Sequence, residues 1–295
     1  MTGAQRGFLL LCSHLGDPQR RPLTTAQLRL LARRVQTWDR PGEDRELNER
    51  DLLALGYGPG AAAQILLLLS QEDVLDHYLQ KNRGMTPVTR ADAHYPPLLR
   101  RRLGEDAPGC LWTSGDCSLL DSPTVALVGS RDLQPANRDF ARAVGLEAAR
   151  QGLTLVSGNA RGADRAAQDA CLAAGGRVIS VVADELSTKI PSKNLLFVSE
   201  EDCDAPFSAQ RALSRNRIIH CLGSLVFVAQ CTFGQGGTWD GTTKNLDRGW
   251  SPVAVFDDGS QSANELEAMG AFAVREADLQ NLDTLGTGNS NFLSL

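Results

Sequence analysis

The chain has no surplus of positive charge. Its 295 residues carry 30 Lys+Arg against 35 Asp+Glu, a net charge of −5. A chain-wide basic field of the kind that grips polyanions is therefore excluded. Lysine is scarce, at four residues (Lys81, Lys189, Lys193, Lys244), and the arginine bias of the rest reads as genomic base composition. Aromatic residues are only 5% of the chain, too few for a continuous platform on which bases stack. The longest apolar run, Ile65 to Leu69 with its neighbours, falls far short of the ~20 residues of a membrane span. A basic, then apolar, then small-residue leader is missing too, so the expected location is the cytoplasm. The seven cysteines (Cys12, Cys110, Cys117, Cys171, Cys203, Cys221, Cys231) are odd in number and scattered. They form neither a disulfide framework nor a CxxC site and read as buried thiols. His14, His77, His94 and His220 have no partner at ligand spacing, so no metal is expected.

What is present is enough apolar side chain, 42%, for a proper core in one large or two unequal domains. The acidity is local: residues 218–295 hold three basic and nine acidic side chains, whereas residues 1–217 are nearly neutral. Residues 8–80 alternate apolar clusters and charge at helical spacing. Thr24 and Asn48 precede apolar runs as helix caps do. Asp39 to Arg45, with Pro41 and Gly42, reads as a loop, and Leu55 to Gly60 as a tight hairpin between helices. That turn resembles a helix-hairpin-helix, whose backbone N–H groups can face a phosphate. From Met85 the texture becomes extended (Thr86-Pro87-Val88-Thr89), and Cys110 to Gly115 suggests a short strand.

Residues 123–256 alternate short apolar strands with helices: strands at 124–128, 153–156, 178–182, 225–228 and 253–256, helices at 136–151, 162–174 and 211–222. This pattern specifies a mostly parallel sheet covered on both faces, an extended Rossmann-like, doubly wound α/β fold. The expected division is a helical N-terminal domain over 1–84, the Rossmann-like domain over 85–275 and a disordered tail over 276–295, which contains Gly286 to Asn291.

Ligands of such sheets bind beyond the C-terminal strand ends. Three of those ends carry glycine with a hydroxyl or arginine: Gly129-Ser130-Arg131, Ser157-Gly158-Asn159-Ala160-Arg161-Gly162-Ala163-Asp164, and Gly236-Gly237-Thr238. Glycine allows close backbone approach, and arginine forks onto phosphate. Arg215, Asn216 and Arg217 precede an apolar helical run and are expected on the rim of the same anion pocket. GxGxxG, GxxxxGK[ST] and GxSxG are all absent, which disfavours NAD, a P-loop ATPase and a serine hydrolase. No cofactor and no catalytic residue is expected.

These motifs, VGSR at 128–131, SGNARGAD at 157–164, AGGRVISVV at 174–182, SRNRII at 214–219 and GGT at 236–238, resemble in order and spacing the DprA/Smf family of DNA-processing proteins. The resemblance covers roughly residues 50–256 and includes the entry segment at 89–99 and 111–116. It implies a Rossmann domain behind a small helical domain of SAM or helix-hairpin-helix type. It further implies single-stranded DNA binding, a homodimer, and loading of a RecA-type recombinase during natural transformation. Carried over by position, Gly129, Ser130, Arg131, Ser157, Gly158, Arg161, Gly162, Asp164, Arg215, Asn216, Arg217, Gly236, Gly237 and Thr238 would line the pocket, with Lys193 as an added phosphate contact. The chain departs from the family at Ala163, Gln168 and Gln230, in Gly236 to Thr242 and at Asp257-Asp258-Gly259. It therefore reads as a divergent member without the winged-helix C-terminal domain. Trp239 and Phe207 are the nearby aromatics, Phe207 being expected in the core.

The alternative is an enzyme or a sensor acting on a small nucleotide. Gly236 to Thr242 echoes the loop of LOG-type phosphoribohydrolases, with Asp240 as the carboxylate such hydrolysis would need.

Overall fold

The computed structural model describes residues 1–38 and 47–285. The loop expected at Asp39 to Arg45, and Gly286 onward of the tail, lie outside the described residues.

Five helices come first: α1 (Gly3–Cys12), α2 (Thr25–Gln36), α3 (Glu49–Ala54), α4 (Pro59–Leu69) and α5 (Glu72–Lys81). Thr24 and Asn48 do cap α2 and α3, each through a reciprocal capping box. Gly56, at φ +82°, turns the chain, and Pro59 opens α4 at its first position. Arg20 helps hold the loop after α1: its guanidinium donates to the carbonyls of Leu10 and Ser13, and its Nε to Gln71 Oε1 at 2.8 Å. Leu9, Leu10, Leu75 and Tyr78 pack onto Trp112 and Phe197 of the sheet, so the helical part shares an apolar seam with it.

The remaining elements run β1 (Met85–Thr89), α6 (Pro97–Leu103), β2 (Cys110–Ser114), β3 (Thr124–Val128), α7 (Pro135–Arg150), β4 (Thr154–Ser157), α8 (Ala163–Ala173), β5 (Arg177–Val181) and β6 (Leu195–Ser199). They continue with α9 (Ala209–Ser214), α10 (Asn216–Leu222), β7 (Val226–Val228), α11 (Gly236–Arg248), β8 (Val253–Phe256), α12 (Gln261–Ala268), β9 (Phe272–Val274) and α13 (Leu282–Leu285). The nine strands of the described residues form one sheet in the order β1-β2-β6-β5-β4-β3-β7-β8-β9. From β6 to β9 every pairing is parallel; β1 and β2 add an antiparallel edge.

Alternation along β3 shows how the sheet is covered. Val125 and Leu127 face α7 and α8, in a core with Phe140, Val144 and Ala167, whereas Ala126 and Val128 face Ile218, Ile219 and Leu222 of α10. The chain moves outward from β3 through β4 and β5 to β6, then returns to place β7 on the other side of β3. The crevice above β3 and β7 is the topological switch point, where such sheets bind ligands.

Three expectations need correction. The single helix expected over 211–222 is two, α9 and α10, joined at Arg215. Gly236 to Thr242 is the first half of helix α11, because an apolar face (Trp239, Leu246) packs against the core. The tail does not begin at 276: residues 276–281 form a 3-10 turn, and Leu279 and Leu282 are buried against α7 and the sheet.

Candidate anion-binding site

At the switch point lies a cavity of about 640 Å³, lined by the loop after β3, the start of α8, helices α9 and α10, and the loop leading into α11. Its lining includes exposed Arg131, Phe207, Thr232 and Gly236, so it is a cleft open to solvent.

Glycine makes its first wall possible. A Cβ on Gly129 would collide with the Ala163 side chain and meet that of Ala229 at 3.3 Å. Only glycine lets the strand end, α8 and the β7 loop converge there. Ser130 is fixed by two bonds to the Gln230 carbonyl, from its N–H at 2.9 Å and its hydroxyl at 3.2 Å. Gln230 also accepts the Gln134 N–H at 2.9 Å. With Ser130 so held, Arg131 projects into solvent without an ion-pair partner among the described residues.

The second wall is Arg215. Its guanidinium lies over the backbone of Gly158, at which a Cβ would overlap it. Its Nε and Nη1 are buried with no hydrogen-bond partner among the described residues. Burial pulls this guanidinium below its ordinary value, and Asp164 opposes that shift. Asp164 is itself buried, and burial raises its carboxyl above the usual value against the pull of Arg215 and the N–H groups of Ala160 and Gly158. The Ala160 N–H donates to Asp164 Oδ2 at 3.1 Å. Asn159, at φ +73°, completes the turn, with a buried Oδ1 lacking a partner among the described residues. Unfilled donors on a cationic group at a cleft are what an arriving anion satisfies.

The third wall is the N-terminus of α11. Gln235 supplies no side-chain cap, so the N–H groups at Gly236, Gly237 and Thr238 remain available, with the helix dipole behind them. Asn216 Nδ2 donates to the Gly237 carbonyl at 3.0 Å and ties this turn to α10.

Nine of the expected site residues therefore meet in the cleft: Gly129, Ser130, Arg131, Asp164, Arg215, Asn216, Gly236, Gly237 and Thr238. Six do not line it. Ser157 is fully buried and accepts from Gln168 Nε2 at 2.7 Å. Gly158 lies beneath Arg215. Arg161 and Gly162 face a neighbouring groove, with Arg161 paired to Asp132 at 2.7 Å. Arg217 turns away to the buried carboxylate of Glu200 and the Asp106 carbonyl, because α10 presents successive residues to different sides. Lys193 is at the opposite end of the parallel strands from the cleft. It lies two residues before β6, whose first residue pairs in parallel with the start of β5, and Asn194 Nδ2 donates to the Gly175 carbonyl after the end of α8.

Residues of little prominence in the sequence also lie at or near the site. Phe207, expected in the core, is 56% exposed and lines the cleft. Trp239 is half-buried and packs edge-on against Phe233 at 5.0 Å. His220 lies under the cleft with neither ring nitrogen partnered among the described residues; burial lowers it to about 3, so the ring is neutral. No periodicity distinguishes it from an ordinary core position. Asp240, the carboxylate assigned to hydrolysis, is outside the cleft and pairs with Lys244 at 2.8 Å. Among the described residues no group of His, Cys, Asp and Glu is placed to hold a metal ion, and no helix is long and apolar enough to cross a membrane.

Comparison with known proteins places these features in context. Residues 86–282 match the family described as DNA recombination-mediator protein A. The chain is 31% identical over 221 residues to protein Smf of Escherichia coli, an alignment covering 69% of this chain and 58% of that protein. Its fold is similar to the crystal structure of DNA processing protein A from Streptococcus pneumoniae, with TM-score 0.70 and 26% identity over 93% of this chain and 95% of the other. It is also similar in fold to DNA processing protein A from Helicobacter pylori, described for its single-stranded DNA binding mode (TM-score 0.56, 24% identity, 67% and 94% covered).

Proposed function

This chain belongs to the DNA recombination-mediator protein A family, and from that premise we propose that it binds single-stranded DNA through the cleft at the switch point. The observation that carries the reading is Arg215: a guanidinium that lines an open cleft and has two buried donor nitrogens without a hydrogen-bond partner among the described residues. Arg131 and the uncapped start of α11 supply further phosphate contacts, and exposed Phe207 supplies a face on which one base can stack. The openness of the cleft favours a polymer that enters and leaves over a mononucleotide enclosed on all sides. A binding role without turnover agrees with the cleft's two carboxylates: Asp132 pairs with Arg161, and Asp164 is held by backbone N–H groups. The wider role, protecting incoming strands and delivering them to a RecA-type recombinase as a homodimer in the cytoplasm, rests on family membership.

Fluorescence anisotropy with labelled oligothymidylate, competed by double-stranded DNA and by thymidine monophosphate, tests the reading. Binding that resists both competitors is expected. Displacement by the mononucleotide, or release of free base from nucleoside monophosphates, would overturn it.

A further inference from the structure

A second cationic surface adjoins the cleft. Helices α7 and α8 enclose a groove of about 620 Å³ whose lining includes Arg131, Arg138, Arg142, Arg161 and Arg165, against only Asp132 and Asp169. Its geometry follows from one residue. Gly145 lies on the backbone of Ala167, where a Cβ would collide with the carbonyl oxygen, so the helices approach closely and bring their charged first halves together. Arg161 precedes α8 and Arg165 lies in its first turn, while Arg138 and Arg142 are one turn apart on α7. Like charges at this spacing weaken a helix. Partners relieve them incompletely: Asp132 takes Arg161, and Asp169 lies 4.0 Å from Arg165. Arg131, Arg138 and Arg142 have no ion pair among the described residues and are exposed. Neither Gln134 before α7 nor Gly162 before α8 provides a side-chain cap, so both helix dipoles add positive potential at the same end.

Arg131 and Asp132 line both the groove and the cleft, which makes the two surfaces continuous over the loop after β3. We propose that the groove is a second anion track, which takes the phosphodiester backbone of the strand as it leaves the cleft. The inference rests on the reading of the cleft given above and adds to it a footprint longer than the cleft. Contacts here are to backbone phosphates, since the groove offers arginines and alanines and no aromatic face. Binding along it is therefore indifferent to sequence.

The test uses the full chain and two oligothymidylates, one short enough for the cleft alone and one several times longer. The wild type is expected to bind the longer one more tightly and with a steeper salt dependence. In the triple variant Arg138→Ala/Arg142→Ala/Arg165→Ala, that gain is lost. The log–log salt slope on the longer strand becomes shallower by about 2, at about 0.7 per phosphate contact, while affinity for the short strand is unchanged. A control variant, Arg50→Ala/Arg83→Ala/Arg248→Ala, removes three exposed charges from other elements and should retain the gain. Loss in both triple variants would assign the effect to net charge and overturn the track. Equal weakening on both strands, or none on either, would overturn it as well, the latter leaving the groove to an acidic protein surface. If the wild type does not bind the short strand, the cleft reading falls; if it binds without gaining from length, only the groove falls.

Discussion

Arg131 is the residue through which the cleft reading is most directly measured. It is exposed, lines the cleft and has no ion pair among the described residues, so Arg131→Ala removes a phosphate contact without leaving a buried group unsatisfied. On a short oligothymidylate the cleft contributes two guanidinium groups, Arg131 and Arg215. At about 0.7 per phosphate neutralised, the log–log salt slope is expected near −1.4 for the wild type and −0.7 for the variant. Between about 50 and 200 mM salt, wild-type affinity then falls about sevenfold and that of the variant about threefold. At fixed salt, loss of one charge-assisted hydrogen bond costs about 1.5–3 kcal/mol, or a 10- to 150-fold weaker Kd. Anisotropy titrations at several salt concentrations give both quantities from one data set. An unchanged slope in Arg131→Ala would refute the reasoning, because the charge would then not be displacing counterions. A weaker Kd at unchanged slope would mean that the loop had moved instead.

Two further outcomes follow from buried groups. Gly158→Ala places a Cβ inside the Arg215 guanidinium; as that group is the far end of a flexible side chain, the fold should persist while the donors leave the cleft. Binding should drop to the level of Arg215→Ala, with the double variant no worse than either single one; additive losses would contradict a shared cause. His220 is held neutral, its value lowered from the ordinary 6.5 to about 3, so its contribution to stability is complete above pH 6.5 and is lost as pH falls toward 3. From pH 6.5 to 5 the wild type should lose about 2 kcal/mol more than His220→Leu in denaturant unfolding, and parallel pH profiles would exclude the effect.

The alternating strands and helices of residues 123–256 were legible because hydrophobic period and turn chemistry are local properties. The Gly/Ser loops could be placed at strand ends for the same reason. Strand β6 was not seen in the sequence: it starts directly after the loop containing Pro191 and Lys193, with only a 3-10 turn at 186–188 between it and β5. A parallel crossover with no helix must descend the whole height of the sheet in that loop, and this carries Lys193 to the far end of the strands. Phe207 is exposed rather than in the core because exposure depends on which distant elements pack over a residue, and no local pattern records that.

By itself the sequence determined the fold class, the family and three of the loops at the cleft, since each is written in a window of about ten residues. Only the tertiary structure decided that Arg215 faces the cleft while Arg217, two residues on, pairs with Glu200. It alone made a groove of arginines from two helices. A net charge of −5 is a sum over the chain, whereas a polyanion meets the local potential, and that potential is set by which side chains the sheet order and the contact of Gly145 on Ala167 bring to one surface.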